Sequence, residues 1–132
     1  WETQVVQVRD LPDGASIGYN RTFTANGPIR TAVLPVGYAD GYRRHLSNNA
    51  DVIIRGRRCP VRGIISMDQT VVDVSALPGV QPGDTAVLIG SDGDETITAE
   101  ELARRAGTIS YDILTGIGKR VVREYTGGAE GE

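Results

Sequence analysis

Short apolar runs rich in valine and isoleucine alternate along this chain with clusters of glycine, proline, asparagine and aspartate. The clusters Leu11-Pro12-Asp13-Gly14, Ala25-Asn26-Gly27-Pro28, Leu77-Pro78-Gly79, Gln81-Pro82-Gly83-Asp84 and Asp92-Gly93-Asp94 read as turns, since these residues tolerate or impose the backbone angles that reverse a chain. Between them the pattern predicts strands near residues 4–9, 31–36, 51–54, 58–61, 64–66, 70–74, 85–89 and 119–125. One stretch predicts a helix: Thr98-Ala99-Glu100-Glu101 fits a capping box, with Thr98 as cap and Glu101 placed to reach back to its amide. Leu102, Ala103 and Ala106 then give one apolar face, and Gly107 ends it. A second short helix is expected from Thr108 or Ser110 to about Leu114. The fold class expected is mainly β, a β-barrel or sandwich with one or two short helices in the C-terminal third. Residues 126–132 offer nothing to bury and are expected to form a disordered tail.

Size and charge narrow the picture. The 132 residues suit one domain, and at this length roughly two-thirds of the unfolded chain's surface leaves water on folding, so neither disulfide nor structural metal is needed. A formal charge of −3 is the wrong sign for a chain that holds phosphate backbones, so no nucleic-acid partner is expected. Cys59 is the lone cysteine and lies far in sequence from the lone histidine, His45, so no metal site is expected. No apolar run approaches the roughly 20 residues of a membrane span, and the chain is expected to be soluble and cytoplasmic. Because it starts at Trp1, it is expected to be a processed product or a piece of a longer polypeptide.

Tyrosine is the first candidate for chemistry. Tyr19, Tyr38, Tyr42 and Tyr111 occur in or near glycine-containing segments, where a phenol can be presented at a loop edge. The plainer reading is an amphipathic rim residue with a buried ring and a wet hydroxyl. Met67-Asp68-Gln69 interrupts a β-like run; such a break either leaves a main-chain amide facing an anion or is a simple hairpin turn that Asp68 suits. Gly116-Ile117-Gly118-Lys119-Arg120 fails as a phosphate loop, since Ile113 stands where glycine is required and Arg120 where Ser or Thr is. Asp92-Gly93-Asp94-Glu95 lacks calcium-loop spacing and reads as a hairpin tip. Arg55, Arg57, Arg58 and Arg62 suit either a solvated strand edge with basic gatekeepers or an anion site.

Five segments carry a resemblance. Gly18-Tyr19-Asn20-Arg21-Thr22-Phe23, Leu34-Pro35-Val36-Gly37-Tyr38-Ala39-Asp40-Gly41, Ile65-Ser66-Met67-Asp68-Gln69, Gly107-Thr108-Ile109-Ser110-Tyr111 and Arg120-Val121-Val122-Arg123 resemble, in order and spacing, the signature segments of the C-terminal β domain of alanine racemase. The resemblance covers residues 1–125. It implies a fold-type III enzyme: an N-terminal barrel domain, absent from this chain, binds pyridoxal 5'-phosphate through a lysine outside this chain. It also implies a homodimer whose active sites combine this domain with the barrel of the partner subunit. The small-molecule substrate would be an amino acid, and the D-alanine formed would serve as a peptidoglycan precursor.

Carried over by position, Tyr19 matches the catalytic tyrosine and Met67 the residue whose amide binds the substrate carboxylate. Tyr111 matches a cofactor-phosphate contact, while Tyr38, Arg44 and Ile109 match the entrance. Asp68 and Arg123 match neighbouring family positions. Asn20 and Ile64 depart from the family pattern, which leaves serine or a broader amino-acid range as alternative substrates. The chemistry is consistent with these roles. Inverting a stereocentre needs proton donors and acceptors on both faces of a planar carbanion, whose charge the cofactor holds. A phenol titrates about three units above neutral, so Tyr19 needs roughly 4 kcal/mol of help to act as a phenolate. The chain's single lysine, Lys119, does not match the cofactor lysine, so the isolated polypeptide is expected to be inactive. Two other readings stay open: the β domain of a fold-type III decarboxylase, and a free-standing β-barrel module binding an anionic partner through Arg55 to Arg62.

Overall fold

The computed structural model describes residues 1–17, 23–24, 27–109, 113–114 and 116–117. Eleven strands and one helix follow in chain order: β1 (Glu2–Gln4), β2 (Gln7–Leu11), β3 (Ser16–Ile17), β4 (Phe23–Thr24), β5 (Ile29–Leu34), β6 (Asp51–Ile54), β7 (Arg57–Pro60), β8 (Thr70–Asp73), β9 (Thr85–Val87), β10 (Gly90–Asp92), β11 (Glu95–Ile97) and α1 (Ala99–Ala106). Among the described residues they make a four-stranded sheet ordered β1-β9-β6-β7, a three-stranded sheet ordered β2-β5-β8, and the hairpins β10-β11 and β3-β4. All pairings are antiparallel.

The two larger sheets are joined on both sides. On one side the chain itself crosses over. The pattern from Gln4 to Arg9 predicts a single strand, but it divides at Val5 and Val6: the Val5 amide donates to Asp84, the residue before β9 of the first sheet (2.8 Å), and the Val6 amide to Val33 in the second (3.0 Å). On the other side an isolated bridge pairs Val61 with Val72. The architecture is thus the expected mainly β one, without a continuous ladder that closes it as a barrel among the described residues.

Apolar side chains from both sheets and the helix fill the interior. Leu34 of β5, Val52, Ile53 and Ile54 of β6, Val72 of β8, Ala86 of β9, Ile97 of β11 and Leu102 of α1 all lie in one buried cluster. Each of the larger aliphatic groups contributes roughly 1.5–3 kcal/mol by leaving water. β5 stops at Leu34 because Pro35 has no amide hydrogen to continue the ladder. The expected strand at residues 64–66 does not form. Ile65 is buried like a strand residue, yet its amide donates to the Ser47 hydroxyl (2.8 Å) instead of to a neighbouring strand.

The helix starts and ends where the pattern places it. The Thr98 hydroxyl oxygen accepts from the Glu101 amide (3.0 Å), and Gly107 closes the helix with φ +77°. The Glu101 carboxylate is engaged by Arg58 instead, accepting at 2.6 and 2.8 Å, so the reciprocal half of the predicted box gives way to a tertiary ion pair. Arg58 also donates to Asp51 (3.3 Å) and Glu95 (3.0 Å), tying α1 and β11 to the β6-β7 ribbon. Ile113 and Leu114 are helical, with the Ile113 amide on the Ile109 carbonyl (3.3 Å), within the second helix expected there. The expected strand at 119–125 and the tail 126–132 lie outside the described residues.

Candidate active site

Two short turns build the candidate site. The first is a 3₁₀ turn at Tyr38–Asp40 that follows β5. Its ends are clasped: the Gly37 amide donates to Asp40 Oδ2 (3.0 Å), and the Asp40 amide donates to the Gly37 carbonyl (3.0 Å). The second spans Ser66 to Gln69. There the Ser66 amide donates to the Gln69 carbonyl (3.0 Å), and the Gln69 amide to Ser66 Oγ (3.0 Å). The break at Met67-Asp68 is therefore a hairpin-like turn, the plainer of the two sequence readings, and no described residue accepts from the Met67 amide.

The turns are stitched together through their backbones. The Tyr38 amide donates to the Ser66 carbonyl (3.0 Å), and the Ala39 amide to the Met67 carbonyl (2.9 Å). Thr70 Oγ1 donates to the Val36 carbonyl (2.6 Å) just behind them. Gly37 is in extended conformation, so its glycine is a matter of space: a Cβ there would lie 2.2 Å from the Ser66 oxygen. Gly41 combines φ +97° with a Cβ position 2.2 Å from the Gly116 oxygen, which sets the segment after α1 against the same turn. The glycines beside Tyr38 thus admit neighbouring backbone, a use that the sequence alone does not separate from close approach of a ligand.

What these turns present is an apolar rim. Tyr38 is 46% exposed, Met67 55% and Ile109 66%, with Leu114 at 48%. The Arg44 guanidinium lies 5.9 Å from the centroid of the Tyr38 ring, within range of a cation–π contact. Met67, Tyr38 and Arg44 are thereby brought together, while Ile109 is exposed on the segment that follows α1. Tyr19, Tyr111 and Arg123 lie outside the described residues, as does Lys119.

The remaining candidates take structural places. Cys59 is buried, and loss of water around the thiol, with Asp73 nearby, pushes it up to about 11. Asp92 and Glu95 flank the β10-β11 hairpin tip, where Asp92 accepts from the Gly56 amide (3.1 Å). In the arginine cluster Arg55 pairs with Asp84 (3.0 Å) and Arg58 with three carboxylates, so neither is an idle gatekeeper or an open anion contact. Asp40 is the residue that sequence reasoning missed. Its spacing of three from Gly37 is the one available signal, and it resembles the reach-back of a capping residue.

Comparisons with known proteins identify the family. The family model described as alanine racemase, C-terminal domain, matches residues 1–125. An alanine racemase of Symbiobacterium thermophilum is 54% identical over 127 residues, 96% of this chain and 34% of that protein. One of Halothermothrix orenii is 47% identical over 125 residues, 95% of this chain and 33% of that protein. Among solved structures, the alanine racemase of E. faecalis superposes with a TM-score of 0.89 at 32% identity, over 95% of this chain and 33% of that one. That of Bartonella henselae, with covalently bound pyridoxal phosphate, gives 0.87 at 38% identity, over 94% and 34%. The chain spans about a third of the length of these relatives. With nearly its whole length matched in sequence and in fold, it belongs to the alanine racemase C-terminal domain family.

Proposed function

We propose that this domain completes the active site of a pyridoxal phosphate-dependent racemase that interconverts L- and D-alanine, with residues 1–125 as the domain proper. One observation carries the reading: the Met67 amide is held at an exposed turn without a described acceptor, in a chain that matches the family over that whole span. A main-chain N–H fixed in this way recognises an anionic oxygen without placing a competing full charge beside the reacting carbon. It suits the carboxylate of an amino acid. Tyr38 and Ile109 narrow the approach, and Arg44 adds positive charge that favours an anionic substrate.

In this reading Tyr19 exchanges the substrate α-proton on one face through its phenolic oxygen, and a lysine outside this chain serves the other. Tyr111 would hold the cofactor phosphate by its hydroxyl. The described rim fits a shared pocket, since it offers donors and apolar walls on one open side, while the chain's single lysine is not at a position that matches the cofactor anchor. Pyridoxal 5'-phosphate, when bound, supplies the electron sink that acidifies the α-proton. The barrel of a partner subunit would close the site, giving a homodimer. The test is Tyr19→Phe in the full-length polypeptide: racemisation of alanine should fall by about 100-fold to 10,000-fold. Undiminished turnover would remove Tyr19 from the mechanism. Assaying L-serine beside L-alanine decides the substrate range. The isolated chain, mixed with cofactor, should not racemise alanine.

A further inference from the structure

We propose that Asp40 is the positioning residue that aims the Met67 N–H at the substrate carboxylate. The inference rests on the role assigned to Met67 above and adds the device that sets it. A peptide unit is planar and its carbonyl and N–H point in opposite directions, so fixing the Ser66 oxygen fixes the direction of the Met67 N–H. The Tyr38 amide holds that oxygen at 3.0 Å, and the Ala39 amide holds the Met67 oxygen at 2.9 Å, which sets the Asp68 N–H in the same manner. Both N–H groups are thus directed away from the Tyr38–Asp40 turn. The Gly37 carbonyl, in the peptide unit that carries the Tyr38 N–H, accepts from the Asp40 and Tyr42 amides (3.0 and 3.2 Å), and the Tyr38 carbonyl, in the unit that carries the Ala39 N–H, accepts from Gly41 (3.1 Å); the Asp40 carboxylate fixes the start of this turn by accepting from the Gly37 amide (3.0 Å). Asp40 is 4% exposed and its Oδ2 accepts from the Gly37 main chain, so the role assigned to it runs through the backbone of the turn.

The second turn is also closed by Ser66 Oγ, which accepts from the Gln69 amide, and Thr70 Oγ1 ties the residue after it to the Val36 carbonyl, both independently of Asp40. Removing the Asp40 carboxyl should therefore loosen the aim of the amide more than it disturbs the fold. In the full-length racemase, Asp40→Ala should raise KM for alanine about tenfold, with kcat changed less than about threefold. Competitive inhibition by acetate, a bare carboxylate, should weaken by the same factor. Asp40→Asn keeps an oxygen to accept from Gly37 and should recover most of that loss. Hydrogen–deuterium exchange of the peptide spanning residues 65–70 should quicken in Asp40→Ala and return in Asp40→Asn.

A parental KM and acetate sensitivity in Asp40→Ala overturn the inference, as does a fall in kcat alone, which reports only a smaller folded fraction. If Asp40→Ala does not fold, Asp40→Ser, whose hydroxyl is too short to reach the Gly37 amide, carries the same expectations and the same refutation. A parent enzyme that racemises no amino acid overturns the reading of the site and this inference with it. A parent that racemises alanine while both short variants keep its KM overturns this inference alone.

Discussion

Around Arg58 and around Met67 the domain handles polar groups in opposite ways. At Arg58, carboxylates from β6, β11 and α1 converge on one guanidinium, with Arg105 close to two of them at 3.4 and 3.8 Å. Donors and acceptors are matched inside the domain, and the side chains that carry them are at most 41% exposed. At Met67 an amide has no acceptor among the described residues, and Tyr38, Met67 and Ile109 are exposed. The first region is complete by itself and holds elements together. The second is exposed, and its order comes from the backbone bonds between the two turns. An exposed surface held from behind in this way is what the proposed shared pocket requires.

That contrast can be broken most sharply at Gly37. Its Cβ would lie 2.2 Å from the Ser66 oxygen and 2.6 Å from the Met67 carbonyl carbon, both backbone atoms that cannot rotate aside. Gly37→Ala in the full-length enzyme should therefore shift the Ser66–Gln69 turn and lower kcat/KM by about 100-fold, the cost of a displacement on the order of 1 Å. Steady-state kinetics with L-alanine checks this. Parental activity would mean that the rim does not need its held geometry.

The complementary change is Arg58→Met. It removes the common partner of Glu101, Glu95 and Asp51 and leaves their charges facing one another. Breaking a fully buried pair costs about 3–5 kcal/mol, and partial solvent access at Arg58 brings the expectation to about 2 kcal/mol. Thermal unfolding of the full-length enzyme should start lower by several degrees. KM for alanine should stay at the parental value, since Arg58 is not part of the rim. A raised KM with parental thermal stability would reverse the two roles.

How far the sequence discloses these regions depends on whether the decisive bonds are local. β6 occupies the expected residues 51–54, and α1 runs between its expected cap and stop, because alternation and capping are properties of neighbouring residues. The run at 4–9 misleads because two consecutive valines continue a strand pattern while their amides serve different sheets. At 64–66 the burial of Ile65 imitates a strand whose ladder does not exist. β10 and β11 are missed as strands, being three residues each, with glycine, serine and acidic residues for much of their length. In the site, the interruption at Met67 is visible in the sequence because it breaks an apolar run. Asp40 is not, because nothing in a sequence says which amide a carboxyl will reach. The same applies to Glu101, whose capping partner lost to an arginine 43 positions away.

Acid sensitivity sharpens the contrast at smaller amplitude. The hydrogen bonds from Arg58, opposed in part by burial, hold the Glu101 carboxyl below the ordinary 4.5 of a glutamate. A carboxylate whose folded value is depressed adds stability that is fully present above its unfolded value and is lost as pH falls through the folded one. Thermal stability should hold from neutral pH down to about 5 and then fall toward pH 3. In Arg58→Met the unfolding temperature starts lower, and its decline over that window should be shallower, because the partner that depressed Glu101 is gone. Parallel curves for the two proteins would place the acid-sensitive group elsewhere.

The smallest effect tests whether the matched region is matched throughout. Tyr42 is fully buried, with its ring edge-on to Trp1 at 6.0 Å between centroids, and its hydroxyl has no hydrogen-bond partner among the described residues. Burial, reinforced by Asp51, raises the phenol far above its ordinary value, so the group stays neutral and never helps itself by ionising. A buried hydroxyl without a partner gains nothing to offset the water it gave up, whereas the ring keeps its packing in either form. Tyr42→Phe should therefore leave the unfolding temperature unchanged or raise it by an amount equivalent to no more than about 1 kcal/mol, with kcat and KM as in the parent. A loss of about 1 kcal/mol or more would show that the hydroxyl is bonded in solution. In that case the core beneath the Arg58 cluster contains a polar anchor, and the division between a self-sufficient framework and an open rim would have to include it.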